Sequence, residues 1–371
     1  MKAIGIILAG GNSRRIRDLS AKRAVAAMPI GGNYRSIDFS LSNMTNSGIQ
    51  TVAIITQYNT RSLNQHLNSS KWWNFGRKQG GMYLFTPTIT MENSDWFRGT
   101  ADSIYQNIDF LKNRHEPYVV IADADIVYKM DFNLMLDYHI AKRADITVLC
   151  KEMPADCDVS RYGVVQMDEN NRILEFEEKP LVTNLRTISA GVYVIRRRQL
   201  IELLERANEE GHYDLVNDIL IRYRHVKKIY GYPLESYWSN ISDIRDYYRT
   251  NMDFLQKNIR DYFREVPRIH SRIIDLPPAK FNPGSDISGA LIASGCIING
   301  RVEHSILFPQ VFIGKNCTIR NCIIMSNVHI GENTFLENCI VESGSTIKPN
   351  SRYVGEEKIE VVSVTNNRYL L

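Results

Sequence analysis

The chain has 371 residues, 44% of them hydrophobic and 23% charged, which is the balance of a soluble globular protein with room for two domains or one with an appendage. A net charge of +4, dispersed along the chain, argues against nucleic acid as a partner, and no window approaches about 18 uncharged apolar residues, so no membrane contact is expected. Six cysteines without a CxxC pair, in a chain that enters a strand with no signal-peptide pattern, are expected to be reduced, with the cytoplasm as compartment.

Residues 3–9 form a near-continuous apolar run, the mark of a strand buried on both faces of a parallel sheet. The run breaks at Gly10-Gly11 and is followed by Arg14, Arg15, Arg17, Lys22 and Arg23. Strand, glycine turn and guanidinium groups suit phosphate oxygens, although a glycine pair also simply closes a βα corner.

The pattern predicts a helix over 34–49, a strand over 51–56, a helix over 103–112 and a strand over 118–122. That strand ends in Asp123-Ala124-Asp125, where open α/β sheets place ligands and metals, unless these are helix-capping or turn aspartates. A helix over 132–142 and a strand over 146–150 follow, then a hairpin of 163–167 and 172–176 around a polar turn. A strand over 188–195, helices over 199–207 and 215–223, a strand over 226–230 and a helix over 244–256 complete a doubly wound α/β domain, 1–257. Arg196-Arg197-Arg198 reads as a strand-to-helix junction. Residues 258–285, with four prolines, read as a linker.

From Val302 onward aliphatic residues recur at 307, 313, 319, 324, 330, 336, 341 and 347, in steps of five or six. Three registers repeat every 17 residues, and Ser305, Cys322 and Cys339 share the same offset. Neither the 3.6 period of a helix nor the period 2 of a flat sheet produces this. Three short faces per coil, each with one inward aliphatic, make a parallel β-helix over 286–371. The two cysteines then occupy one stacked position as small semi-apolar side chains. Residues 353–371 either cap this solenoid or fold against the first domain.

The motifs LAGG with Arg15, GGNYRSIDFSLSNMTNSGI, TQYNTRSLNQHL, WFRGTADSIYQN, ADIVYKMD, RYGVV, EFEEKP and YWSNISDI resemble, in order and over essentially the whole chain, bacterial glucose-1-phosphate adenylyltransferase. The resemblance implies a Rossmann-like, GT-A-like nucleotidyltransferase domain followed by a left-handed β-helix. It implies ATP plus glucose 1-phosphate giving ADP-glucose plus pyrophosphate, the committed step towards glycogen. Catalysis there is positioning and charge neutralisation around attack on the α-phosphorus.

Carried over residue by residue, Arg15 and Asp125 match catalytic positions, and Gly10, Gly11, Gly99 and Asp102 match nucleotide-binding ones. Glu178, Lys179, Ser189, Tyr193, Asp214 and Trp238 match the glucose 1-phosphate side, and Lys22, Arg23 and Arg35 match positions that bind effector phosphate. Other parts depart. Asn12-Ser13-Arg14 stands in place of Arg-Gly-Thr, Val25 replaces the lysine of RAKPA, Phe97 replaces a tyrosine, and Phe85-Thr86-Pro87-Thr88 lacks the adenine-reading glutamine. Asp125 keeps the metal carboxylate, but the second becomes Asn240, which offers oxygen without charge for Mg²⁺.

Each lost charge contact typically costs roughly 10² to 10³ in rate. The pattern resembles the GlgD-type subunit: a regulatory, weakly active or inactive companion of a catalytic GlgC-type subunit. The resemblance implies a homo- or hetero-tetramer that takes sugar phosphates and possibly ATP, with Mg²⁺ if active. A competent enzyme with a modified site, and a non-catalytic sugar-phosphate sensor, are the alternatives.

Overall fold

With no polar face to show to water, the run Ala3–Leu8 becomes an interior strand of a mixed sheet. The computed structural model describes residues 3–11, 16–21, 23–76, 80–88 and 96–363. Ala3–Leu8 pairs in parallel with Thr51–Ile55 on one side and Tyr118–Asp123 on the other, and Gly81–Phe85 extends the sheet beyond Thr51–Ile55. Thr187–Arg196 lies antiparallel beside Tyr118–Asp123 and leads to the hairpin of Gly163–Met167 and Ile173–Glu178. It also pairs with Ile146–Glu152, which carries Ile229–Pro233 in parallel. Connections leave Ala3–Leu8 and Tyr118–Asp123 in opposite directions across the sheet, so the crevice outside their carboxyl ends is a topological switch point.

Several elements differ from the sequence expectation for local reasons. Tyr34–Arg35 pairs with Pro29–Ile30 as a strand, and the helix begins only at Ser36, because the Asp38 carboxylate accepts the Arg35 N–H at 2.7 Å. The helix expected over 103–112 is two, Thr100–Tyr105 and Ile108–Lys112. The Asn107 side chain donates to the Ser103 carbonyl at 2.9 Å at the break. The last sheet strand is Ile229–Pro233, and Val226, expected inside it, is 78% exposed. Arg197 explains the arginine triplet: it starts the helix Arg197–Glu209 and donates to the carbonyls of Glu116 and Leu111.

The contacts divide the chain into two compact units, Met1–Gly11 with Phe39–Thr60 and Ser69–Trp238, and Asn12–Asp38 with Arg61–Asn68 and Ser239–Leu371. The first contains the sheet. Its core joins Ile4, Ile6, Val119 and Ile121 to Leu200, Leu204 and Ile219.

The second contains the β-helix, three five-stranded parallel sheets whose strands are only two or three residues long. Ile313 pairs with Ile330, Ile319 with Leu336 and Ile324 with Val341, the registers expected from the 17-residue repeat. The solenoid starts earlier than the repeat announces. Lys280–Phe281, inside the span read as linker, is already a rung, and most of the helix Lys257–Arg264 lies in that span too. Short first-coil steps and a strand of only two residues hide that rung from a search for period. Residues 353–363 continue the solenoid: Cys339 pairs with Glu360 across an inserted corner at Gly355–Ile359. Residues 364–371 lie outside the described part.

Corners are turned by residues in the left-handed region, among them Asn316, Asn333 and Asn350, whose side-chain amides form a ladder at 3.1 Å. On the third sheet Ile306, Ile323 and Ile340, which lie outside the solenoid's inner core cluster, are nevertheless fully buried. Tyr248 donates to the Asn321 carbonyl at 2.8 Å, and Tyr247 donates to that of Pro29 at 2.7 Å.

Candidate functional site

Leu8 and Asp123 are register partners, so the chain leaves two neighbouring strands side by side, one into Gly10-Gly11 and one into Asp123-Ala124-Asp125. The Ala124 N–H donates to the Leu8 carbonyl at 3.1 Å, which binds the two turns together. A Cβ at Gly11 would meet nothing, and one at Gly10 only Gln57 at 3.9 Å, so packing does not demand glycine there and the turn is open. Arg15, with residues 12–14, lies outside the described residues.

The third strand of the site, Thr187–Arg196, shifts register between Ser189 and Tyr193. Gly191 sits in this bulge at φ +76°, and a Cβ there would come within 2.5 Å of Asp123 Oδ2. The bulge turns Ser189 and Tyr193 together, their hydroxyls 3.2 Å apart, and offers the Ala190 carbonyl to the Trp238 indole N–H at 3.1 Å. Trp238 also meets Tyr162 edge-on at 5.6 Å, and Tyr162 holds the next turn by accepting the Lys179 N–H at 3.1 Å. Lys179 stands at φ +50°, its ammonium 2.7 Å from Glu178 and largely exposed. Lysine in a left-handed turn is costly unless the position is used.

Asp214 closes the group. It caps the π-helical segment Leu215–Ile221 by accepting the N–H groups of Val216 at 3.0 Å and Asn217 at 2.7 Å, and its other oxygen is 3.4 Å from the Thr100 hydroxyl. Four carboxylates thus share one field. Burial, then Asp125, Glu178 and Asp214, hold the Asp123 carboxyl well above its ordinary range, with Lys179 opposing. Burial, then Asp123, pushes the Tyr193 phenol up, so it stays a neutral hydrogen-bonding group. An anionic cluster with one lysine suits hydroxyls and a metal-bridged phosphate rather than a bare anion.

Gly99 and Asp102 are placed differently. The Tyr213 carbonyl lies 2.3 Å from where a Gly99 Cβ would be, and it accepts the N–H groups of Ala101 and Asp102. The Asp102 carboxylate is buried and bonded to the Arg98 backbone and guanidinium and to Gln106. Asn240 ends the strand Trp238–Asn240 in the second unit, half-buried. Among the described residues no group of three His, Cys, Asp or Glu side chains is set to hold a metal, and no helix is long and apolar enough to cross a membrane.

A cluster of the opposite sign lies in the second unit. Arg23, Arg35 and Arg272 line a cavity of about 290 Å³ with Asn33, His66 and Ser343. Arg35 donates to the Ala27 carbonyl at 2.9 Å, and burial, then the charge of Arg23, lowers its proton affinity. His66 Nε2 lies 2.6 Å from the buried Asp38, and Arg272 donates to the Gln65 carbonyl. Lys22 lies outside the described residues. Gly191, His66 and Arg272 were not legible as site residues: the first acts through a bulge, and the others reach the cavity from segments distant in sequence.

The Nucleotidyl transferase family model matches residues 4–257, and the model described as GlmU-like, C-terminal hexapeptide matches residues 277–361. A protein named glucose-1-phosphate adenylyltransferase from Geobacillus stearothermophilus is 40% identical over 368 residues, covering 98% of this chain and 95% of that protein. The chain belongs to the glucose-1-phosphate adenylyltransferase family. Relatives of the same name from Thermosipho africanus and Clostridium acetobutylicum are each 38% identical, over 85% of this chain and over 77% and 84% of theirs. Membership of the adenylyltransferase family accounts for both architectures at once, the α/β sheet and the three-faced, left-handed hexapeptide β-helix.

Proposed function

We propose that this chain is a regulatory, weakly active or inactive subunit of glucose-1-phosphate adenylyltransferase, a GlgD-type companion that assembles with a catalytic GlgC-type chain in glycogen synthesis. The observation that carries the reading is Val25. Where the family resemblance calls for a lysine, Val25 is 4% exposed in the apolar 3-10 turn Val25–Ala27, and no cation can act from that position. Such chemistry depends on cations placed on the developing charge of pyrophosphate.

The sugar-phosphate half supports binding without turnover. In this reading Glu178 and Asp214 accept sugar hydroxyls, Lys179 meets the phosphate, and Trp238 and Tyr193 form a wall. The raised Asp123 carboxyl beside Asp125 fits a hard cation, which needs one or two carboxylates and keeps phosphate oxygens as further ligands. Asp123 and Asp125 would hold Mg²⁺, which when bound neutralises phosphate charge. Arg23 and Arg35 are read as an effector-phosphate site.

The test is pyrophosphate release from ATP and glucose 1-phosphate, measured on the purified chain alone and then mixed with a catalytic homologue. The expected result is little turnover alone and, in a mixed oligomer resolved by size exclusion, altered activity of the partner. Ordinary turnover by the chain alone would overturn the reading in favour of a competent enzyme. Glucose 1-phosphate binding with neither turnover nor assembly would leave a sugar-phosphate sensor.

A further inference from the structure

We propose that Glu342 is a built-in counter-anion of the arginine pocket, which competes with an incoming phosphate for Arg23 and so sets the threshold at which the pocket fills. The proposal rests on the reading of Arg23 and Arg35 as an effector-phosphate site and adds its regulation.

Arg23 is poorly neutralised for a guanidinium so enclosed. Its side chain is 12% exposed, Arg35 is close enough for the two charges to oppose each other, and its buried Nε meets no acceptor among the described residues. One Nη contacts the Met325 sulfur, at 3.8 Å. The carboxylate that faces it, Glu342 Oε1, is also 3.8 Å away, at the far edge of an ion pair and far from the bidentate fork that guanidinium prefers.

Glu342 stands off because it is held elsewhere. It is 4% exposed, its Oε2 accepts the Ser363 hydroxyl at 2.7 Å, and its backbone is bonded to Val362 and Ser345. The carboxylate therefore offers half of itself to Arg23. A phosphate entering between Arg23, Arg35 and Arg272 would bring short charge-assisted bonds that Glu342 does not make, but it would do so against a fixed negative charge. Ser363 sets the balance. Held by Ser363, Glu342 yields the guanidinium. Released, it would swing onto Arg23 and shut the ligand out.

The two partners of Glu342 therefore give effects of opposite sign. Calorimetric titration of the full chain with inorganic phosphate and with pyrophosphate, at fixed ionic strength, compares the wild type with Glu342→Gln, Ser363→Ala and Arg23→Ala. Glu342→Gln is expected to bind about tenfold tighter, Ser363→Ala two- to threefold weaker, and Arg23→Ala to lose the site in either background (folds estimated from charge-assisted bonding). Wild-type binding that depends on Arg23 but is unchanged or weakened by Glu342→Gln would overturn the proposal and leave the effector site standing. Absence of any Arg23-dependent binding would remove the effector reading, and the proposal with it. If Glu342→Gln does not fold, the sign of the Ser363→Ala change decides: tighter or equal binding refutes the idea.

Discussion

The two charged clusters of this chain are built on opposite principles. The cluster at Asp123 gathers carboxylates at the carboxyl ends of strands, where the sheet itself fixes their spacing, with Lys179 as the cation opposing them among the described residues. The cluster at Arg23 gathers guanidinium groups in a cavity assembled from several separated stretches of chain, with few anions facing them among the described residues. Each is electrostatically incomplete among the described residues, and the proposed ligands follow that lack: a cation and sugar hydroxyls for one, a phosphate for the other. A protein spends stability on uncompensated charge chiefly where something is meant to bind.

The comparison is broken most severely at Gly191. Gly191→Ala adds a Cβ in the left-handed region and within 2.5 Å of the Asp123 carboxylate. The expected cost is about 3 kcal/mol in urea unfolding, with loss of sugar-phosphate binding. An unchanged denaturation midpoint would show that the bulge does not position the cluster.

Next in size is Lys179→Ala. Loss of one charge-assisted contact should weaken glucose 1-phosphate binding by about 2 kcal/mol, near 30-fold, while phosphate binding that depends on Arg23 stays as it was. Calorimetry with both ligands separates the two. If both change together, the clusters are not independent sites.

Arg272→Ala should act on the other side alone. Arg272 is partly exposed and already donates to the Gln65 carbonyl. About 1 kcal/mol, or fivefold, is expected in pyrophosphate affinity, with no effect on glucose 1-phosphate.

The smallest effect is the pH dependence of the acidic cluster. A carboxyl held above its unfolded value keeps protons in the folded chain that the unfolded chain has lost. Stability should therefore fall as pH rises from the ordinary aspartate range, near 4, towards the raised value of Asp123. Mg²⁺ should flatten that fall, and Asp123→Asn should abolish it. Thermal melts across pH, with and without Mg²⁺, provide the measurement.

Much of the architecture is legible in the residues because it rests on period. The run at Ala3–Leu8 has no polar face, and the aliphatic step of five and six admits neither helix nor flat sheet. Val25 and Lys179 could be singled out from motif positions, since each departs from or keeps a charge in one short segment. The early rung at Lys280–Phe281 was hidden because a two-residue strand carries almost no pattern of its own. The split of the helix at Asn107 turned on a side chain competing for a backbone carbonyl, a choice that propensity does not resolve.

By itself the sequence determined the sheet, the solenoid and the family, because hydrophobic period and ordered motifs are local properties that survive without coordinates. Only the tertiary structure decided that Gly191 bulges against Asp123, that Gly99 makes room for the Tyr213 carbonyl, and that Arg23 faces Glu342 across more than 300 residues of chain. Those are close approaches between segments remote in sequence. Sterics and charge act there through space, and no one-dimensional pattern records them.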